Sequence, residues 1–593
     1  MVRQHQLSVT VALLGASLVL PGCVSSDVET GAQVRLQTHV DDWRDEIIYQ
    51  LLTDRFANGD LRNDVRVEPG ALARYQGGDW QGIVDRLGYL EELGVTALWI
   101  SPIVLNVDTD AGVDGYHGYW QVDLERLNPH FGDLGALRNL VSACHARGIK
   151  VIVDIVTNHL GQVFYYDINL NGRPDENVFG SGTRSPLERV TEFDPDYDPR
   201  GIQSFTSLGE AGAAPIRFFD APEIYRIPPN PPIFLEPSAY NLRGRVTDFG
   251  IQEQVIYGDF PGGLKDIRTE NPAVREELTR VFTEWVLKTD IDGFRIDTIK
   301  HVENGFWEFF APELRARLAA AGKTNFLMFG EAFDGDDALV GSFTMPGRLD
   351  SVFYFPQKFQ VYDDVFRRGG PTSKIETLFS QRVTNYGTVA QPGGVGQPPT
   401  SVLINFLDNH DLPRYLFEGS VESMRAALAY LLTQDGVPCI YYGTEQDFAG
   451  GNDPANRERL WDTGYATDGE TFQWIARLTA IRRQYPALRR GDFAIRWVTD
   501  RVGAEQDAGI VAFERTAGAD YALVVVNAQG QHPSETSASS LGGGDMPVGA
   551  AAGSTLVDVL TGNRFTVAGD QTMNLQVPPY GALVLVPESQ FVQ

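Results

Sequence analysis

Four short segments of the chain concentrate residues able to move protons and stabilise charge. They are Asp154-Ile-Val-Thr-Asn-His159, Gly293-Phe-Arg-Ile-Asp-Thr-Ile-Lys-His301, Phe329-Gly-Glu-Ala-Phe333 and Phe406-Leu-Asp-Asn-His-Asp411. Of the nine histidines, His117, His159, His301 and His410 lie in these segments or in Gly115-Tyr-His-Gly-Tyr-Trp120, a clustering that chance placement would not give. Carboxylates grouped in this way suit cleavage of an acetal through an oxocarbenium-like transition state. That chemistry needs one carboxylate against the anomeric carbon and one protonated carboxyl at the leaving oxygen, ~5 to 5.5 Å apart where configuration is retained. Asp297, Glu331 and Asp411 are available for it. Arg295, two residues before Asp297, points the same way from a pleated strand, so its fixed charge can hold a carboxylate ionised.

The elements that must position these groups are legible in the same sequence. From residue 46, short β-rich runs alternate with helical patterns, the signature of parallel β-α units. The runs are Ile47 to Leu52, Ala97 to Ile100, Lys150 to Ile155, Gly293 to Asp297, Phe326 to Gly330, Ser351 to Phe355, Val402 to Leu407 and Cys439 to Tyr442. Eight such units predict an α/β fold, a (β/α)8 TIM barrel over residues 43–159 and 269–489, whose reactive groups sit at the C-terminal ends of the strands. Residues 160–268, rich in Pro, Gly, Asp and aromatics, are too long for a structureless loop and predict a small inserted domain over the barrel mouth. After a helical stretch from Phe472 to Leu488 the pattern turns to strands alone, which predicts a C-terminal all-β sandwich domain over 490–593. Within it the Gly, Ser and Ala-rich stretch from Gln529 to Ser554 reads as a mobile loop.

The order and strand positions of the four segments resemble the four signature regions of the α-amylase family, glycoside hydrolase family 13, over residues 46 to 588. The resemblance implies Asp297 as nucleophile, Glu331 as acid/base and Asp411 as the third carboxylate, binding sugar hydroxyls and stabilising positive charge. It further implies that His117 and His410 hydrogen-bond the sugar at the cleavage point, that Tyr119 stacks on its ring, and that Lys300 and His301 face the leaving side. His159 either joins them or only braces its loop. Gly450-Gly-Asn-Asp-Pro-Ala-Asn-Arg457 is similar to cyclodextrin glucanotransferases and maltogenic amylases, which places Asp453 and Arg457 on donor sugars further from the cut, and Phe333 matches an acceptor-side aromatic.

Calcium is the implied cofactor. One site resembles the family's clamp between inserted domain and barrel, with Asn158, Asp266 and the carbonyl of His301 as hard oxygen ligands. A second, in Asp54-Arg-Phe-Ala-Asn-Gly-Asp-Leu-Arg-Asn-Asp64 and Gly77-Gly-Asp-Trp80, is very similar to a calcium loop of cyclodextrin glucanotransferases and gives Asn58, Asp60, Asn63, Asp64, Gly77 and Asp79; a polar Asx-rich turn is the alternative. A third candidate, Asp167, Asn169, Asn171 and Asp175, has oxygens at the alternate positions of an EF-hand loop but Val178 where the bidentate Glu belongs, which leaves a plain turn equally open.

The remaining features bound the context. A formal charge of −29 over 593 residues repels phosphate backbones and argues against nucleic acid as a partner. Three cysteines, Cys23, Cys144 and Cys439, are too few for a disulfide framework. Residues 1–23 read as a signal peptide whose Leu20-Pro21-Gly22-Cys23 ending resembles a bacterial lipobox, with Cys23 lipidated and residues 24–42 as a polar tether; an ordinary cleaved signal is the alternative. The sum is an expected monomer on the bacterial cell envelope, at the outer membrane or cell surface, held there by the lipid alone. The expected activity is retaining hydrolysis of internal α-1,4 bonds in starch, glycogen or maltooligosaccharides. A cyclomaltodextrinase, maltogenic amylase or glucanotransferase-like enzyme is the nearer alternative, and a non-catalytic surface glucan-binding protein the more distant one.

Overall fold

The computed structural model describes residues 26–110, 112–167, 170 and 215–592. All eight expected barrel strands are present: β1 (Ile48–Leu51), β2 (Ala97–Ile100), β3 (Lys150–Val156), β4 (Gly293–Asp297), β5 (Leu327–Gly330), β6 (Ser351–Val352), β7 (Ile404–Phe406) and β8 (Val437–Tyr441). They pair in parallel in the order β6-β5-β4-β3-β2-β1-β8-β7. A further parallel bridge between Phe353 and Ile404 joins the two outer strands, so the sheet closes on itself. Strands covered on both faces need no polar alternation, and Ala97-Leu-Trp-Ile100 is accordingly buried at every position.

Alternate residues point into the barrel, and they change character along its axis. Ile48, Ala97, Ile152, Leu327 and Ile404 form the lower interior, and above them Trp99, Phe329, Phe353 and Phe406 make an aromatic layer. Gln50, Asp154, Arg295 and Glu331 occupy the next inward positions, towards the C-terminal ends. A packed apolar plug therefore forms the floor on which a polar layer stands. The helices needed below are α1 (Leu134–His145), α2 (Pro272–Thr289), α3 (Asn304–Ala320), α4 (Ser373–Asn385), α5 (Val421–Thr433), α6 (Glu470–Gln484) and α7 (Pro486–Arg490). Helix α2 begins where the Asn271 side chain accepts the Ala273 N–H and Pro272 fills the first turn.

Six of the C-terminal strands form one antiparallel sheet, β9 (Asp492–Trp497), β10 (Ile510–Ala517), β11 (Asp520–Asn527), β12 (Thr555–Asp558), β13 (Arg564–Thr566) and β14 (Ala582–Pro587), in the order β9-β10-β11-β14-β12-β13. Its inner face packs on the barrel through Phe513 against Tyr430. The inserted segment is fastened at both ends, since His159–Leu160 pairs with Lys265–Asp266 and Phe164–Tyr166 with Ile216–Phe218.

Several expectations need correction. The helical stretch from Phe472 to Leu488 is divided into two helices, because Pro486 cannot donate and Tyr485 before it is extended. The sixth strand stops at Val352, where the chain turns into a short helix at Phe355. Gln529 to Ser554 is no mobile loop: Ser534, Thr536, Ser537 and Met546 are buried, and two short strands pair with Gln576–Val577 and Thr572–Met573. Residues 26–42 are no free tether either. Val28 and Val40 are buried, Val34 N–H bonds the Leu287 carbonyl, and Gln37 N–H and the His39 ring both bond Asp290. Cys23 lies outside the described residues, among which no helix is long and apolar enough to cross a membrane.

Candidate active site

The C-terminal ends of the strands surround a cavity of about 430 Å³. Its wall holds Asp297 at the end of β4, Glu331 just after β5 and Asp411 in the loop after β7. His117, Tyr119, Lys300, His301, Phe333, His410, Asp453 and Arg457 line it as well. Of the residues that the sequence marks for the reaction, Arg295 alone lies beneath the cavity, wholly buried.

Arg295 organises the floor. Its Nη1 donates to Asp297 at 2.9 Å and to both oxygens of Asp154 at 3.0 and 2.9 Å, and its Nη2 lies 2.8 Å from Glu331 Oε2 as an ion pair without hydrogen-bond alignment. One guanidinium thus bridges both reactive carboxyls and a third acid. Burial, reinforced by the Asp154 and Asp411 charges and opposed by Arg295, pushes Asp297 up to about 7. Burial also pushes Glu331 up, to about 8, with Asp411 and Asp297 adding to it and Arg295 opposing. The aligned hydrogen bond goes to Asp297, so in this coupled pair the proton resides on Glu331 and the charge on Asp297.

Backbone geometry fixes the two carboxyls relative to each other. Glu331 N–H bonds the Ile296 carbonyl, and the Glu331 carbonyl accepts from Ile299 N–H, so the end of β5 is stitched to both sides of Asp297. Between these bonds Thr298 adopts φ 45°, the left-handed region that a β-branched residue rarely enters. Its N–H points towards Glu331 Oε2 at 3.4 Å.

The histidines are neutral donors in fixed tautomers. His117 Nδ1 accepts the Tyr119 N–H at 3.1 Å and His410 Nδ1 accepts from Gln50 Nε2 at 2.7 Å, so each carries its proton on Nε2. Burial pushes both well below the ordinary histidine range. Tyr119 lies parallel to His410 at 5.2 Å and its hydroxyl donates to Asp154 at 2.8 Å, which holds the ring as a platform. Asp411 is met by His410 Nε2 at 3.2 Å and Arg457 Nη2 at 3.4 Å, and Arg457 also pairs with Asp453 at 3.1 Å. Lys300 Nζ donates to the Phe333 carbonyl at 2.6 Å, leaving the half-exposed Phe333 ring at the rim. His159 is a brace: its Nε2 reaches the Tyr119 carbonyl at 3.2 Å and its ring stacks on Phe260.

Three contributors were not singled out from the sequence. Asp154 heads the first segment yet has no role of its own until its bonds to Arg295, Tyr119 and Trp99 are seen. Gln50 is the lone polar residue in an apolar run, a signal that could have marked it. Phe260 comes from the insertion, and nothing in its local sequence ties it to His159 and His301.

Orphaned buried oxygens mark two of the three expected cation sites. In the first, Asn158 Oδ1 is buried without a partner, and Ile267 N–H bonds the Asn158 carbonyl, bringing Asp266 alongside. Asp266 is buried with Asn241 Nδ2 at 2.7 Å as its side-chain donor, and burial pushes it well up, which an adjacent cation would reverse. His301 faces the same segment, its Nδ1 donating to the Val255 carbonyl at 2.8 Å. In the second site Asn58 and Asn63 each have an orphaned, buried Oδ1 beside Asp64 and Asp79. Gly77, at φ 96°, leaves room there, since a Cβ would come within 2.6 Å of Asp64 Oδ1. Asp60 departs from the expected set, because its carboxylate turns outward onto exposed Arg62 at 2.7 Å. Both sites fit a hard cation. In the third, Asp167 pairs with Arg217 at 3.1 Å, while Asn169, Asn171 and Asp175 lie outside the described residues.

Comparison with known proteins places these features in a family. The alpha amylase catalytic domain matches residues 50–178 and 251–468, and the maltogenic amylase C-terminal domain matches residues 502–584. The chain is 32% identical over 521 residues to the alpha-amylase of Streptomyces lividans, covering 80% of this chain and 53% of that one. It is 29% identical over 535 residues to the cyclomaltodextrin glucanotransferase of Thermoanaerobacterium thermosulfurigenes, covering 87% and 64%. The crystal structure of an Anoxybacillus alpha-amylase superposes with a TM-score of 0.69 at 26% identity, covering 92% of this chain and 99% of that one. The chain thus spans about half the length of the first of these relatives.

Proposed function

Because the chain belongs to the α-amylase family of glycoside hydrolases, we propose that it hydrolyses internal α-1,4 bonds of starch-like glucans with retention of configuration. The observation that carries this reading is the Arg295 bridge, which joins the Asp297 and Glu331 carboxyls at one cavity, with Asp411 on its wall. In the first step Asp297 attacks the anomeric carbon while Glu331 gives its proton to the leaving oxygen. In the second, Glu331 takes a proton from water as water displaces Asp297. His117, His410 and Asp411 hold the hydroxyls of the sugar being cut, and Tyr119 supports its face. A non-catalytic binding role is disfavoured by the presence of all three carboxylates.

A second reading has its own support. Phe333 stands 41% exposed beside Glu331, packed on Phe355 and Phe359, where an aromatic can favour a sugar over water as acceptor. Starch, maltoheptaose and cyclodextrin digests separate the readings. Rapid loss of starch viscosity with α-configured maltooligosaccharides is expected. Ring opening of cyclodextrin faster than starch cleavage, or products longer than the maltoheptaose supplied, would move the assignment to the second reading.

Members of the family commonly bind calcium, and a calcium ion bound among Asn158, Asp266 and the His301 carbonyl would tie the insertion to the barrel rim. Asn58, Asn63, Asp64 and Asp79 would hold a second. Excess EDTA is therefore expected to lower both Tm and turnover, with recovery on adding calcium. An unchanged melting curve in protein shown by metal analysis to retain none would defeat the calcium assignment.

A further inference from the structure

A second cavity, of about 300 Å³, lies at the opposite end of the barrel from the reactive carboxyls. Thr400 and Ser401 on its wall precede β7, and Asp435 and Gly436 precede β8, so it opens at the strands' N-terminal ends. Helix α4, helix α7 and strands β9 and β10 complete it, which makes it a joint between the barrel and the C-terminal sheet.

Its charge is opposite to that of the chain. Five arginines, Arg44, Arg382, Arg489, Arg490 and Arg515, line it against two aspartates, Asp435 and Asp492, in a protein of net charge −29. Some of that charge is met within the fold. Arg489 Nη1 lies 2.8 Å from Asp45, which Arg490 also grips through Nε at 2.9 Å and through Nη2; Arg44 Nη2 is 2.6 Å from Asp42, and Arg382 Nη1 is 2.7 Å from Asp435. Arg515 has no carboxylate partner and spends its Nη hydrogens on the carbonyls of Thr433, Leu488 and Gly491. The Nε–H groups of Arg382, Arg489 and Arg515 have no acceptor. Arg482 sits directly behind, donating to the Gly436 carbonyl at 2.7 Å; burial, with the Arg515 and Arg489 charges, pushes it down to about 9. Five lining guanidinium groups thus meet four carboxylates, Asp42, Asp45, Asp435 and Asp492, and Arg482 behind them adds a sixth cation, so positive charge stays in excess at this joint.

The wall has two further features that describe a ligand. Phe379 and Phe493, 4.8 Å apart, give it an apolar side. The orphaned acceptor Asp435 Oδ1 can be satisfied by an oxyanion that keeps a proton, as hydrogen phosphate does. Forked guanidinium groups match tetrahedral oxyanions better than they match chloride. We propose that this cavity binds a phosphate group, either as the free ion or as the terminal phosphate of a sugar phosphate, and that the bound group clamps the C-terminal sheet to the barrel.

Calorimetric titration of the full chain with inorganic phosphate and with glucose 6-phosphate tests this, against sodium chloride of equal ionic strength. One saturable site per chain is expected, with a rise in Tm that chloride does not reproduce. Tighter binding of inorganic phosphate assigns the free ion, and tighter binding of glucose 6-phosphate assigns a phosphorylated sugar held against Phe379 and Phe493. Arg489→Gln and Arg44→Gln, at the partly exposed rim, should each weaken binding ~10-fold or more while starch hydrolysis is unchanged. Binding no stronger than that of chloride, or full affinity retained in both variants with native circular dichroism, would overturn the proposal. Binding is read without turnover, so its failure leaves the hydrolase assignment untouched.

Discussion

Asp297→Asn is expected to abolish turnover on every glucan and on activated substrates alike, by ~10⁴-fold or more. Without the carboxylate on β4 no glycosyl ester forms, and no leaving group, however good, supplies a substitute. Glu331→Gln should behave differently. It loses starch hydrolysis because the glycosidic oxygen leaves unprotonated, yet α-maltosyl fluoride, whose fluoride departs without a proton, still esterifies Asp297. The ester then accumulates, since no base activates water, and azide should release it as α-maltosyl azide. The pH dependence supplies an internal control. Burial pushes Glu331 up to about 8, so wild-type hydrolysis of starch should fall as pH rises through that value and the proton is lost. That alkaline limb should be missing when Glu331→Gln acts on the fluoride. Starch cleavage by clean Asp297→Asn protein, or a β-configured first product from the wild type, would sink the mechanism.

Arg295→Met is expected to be the most damaging substitution for folding. It removes the one cation among the described residues that touches Asp154, Asp297 and Glu331, all buried. Breaking a buried ion pair on one side costs about 3–5 kcal/mol at neutral pH. The sign of its pH dependence follows from the carboxyls. Already raised to about 6 for Asp154, 7 for Asp297 and 8 for Glu331, they rise further without Arg295, so the folded variant holds protons that its unfolded chain releases above pH ~4. Between pH ~4 and 6 wild type and variant titrate alike and the stability gap should stay flat; it should widen as pH rises through about 6 to 8, where the wild-type carboxyls ionise and those of the variant stay protonated, and narrow on acidification back through that range. A constant gap from pH 5 to 8 in denaturant titrations would mean that Arg295 acts through packing and not through charge.

What was legible in the sequence follows from how directly chemistry constrains it. Parallel strands buried on both faces must be short apolar runs, so all eight barrel strands could be located. The reactive residues follow them because strand ends are where a barrel exposes side chains. Asp154 escaped because its importance lies in an Arg295 bond across 141 positions of sequence. Residues 26–42 look unstructured since their contacts are isolated hydrogen bonds to distant residues, Leu287, Asp290 and Thr324 among them, with no periodic apolar face. Asp60 fits the spacing of a cation ligand, but spacing does not reveal that Arg62, two residues on, captures its carboxylate. The arginine-lined cavity draws on six separate stretches of chain, and no local pattern announces it.

The aromatic layer beneath the polar floor carries one more consequence. Trp99 donates its ring N–H to Asp154 at 3.2 Å, and the Arg295 guanidinium lies 5.3 Å from its ring centre. An indole excited state shifts charge from its five-membered towards its six-membered ring, so its emission colour depends on nearby fixed charges. Protonation of Asp154, neutralisation of Asp297 as an ester, or loss of Arg295 each alters the field along that ring while leaving it buried. The fold has thus placed a fluorophore under the nucleophile, and the difference spectrum between wild type and Trp99→Phe offers an optical electrometer for the ionisation of the site, readable with no substrate present.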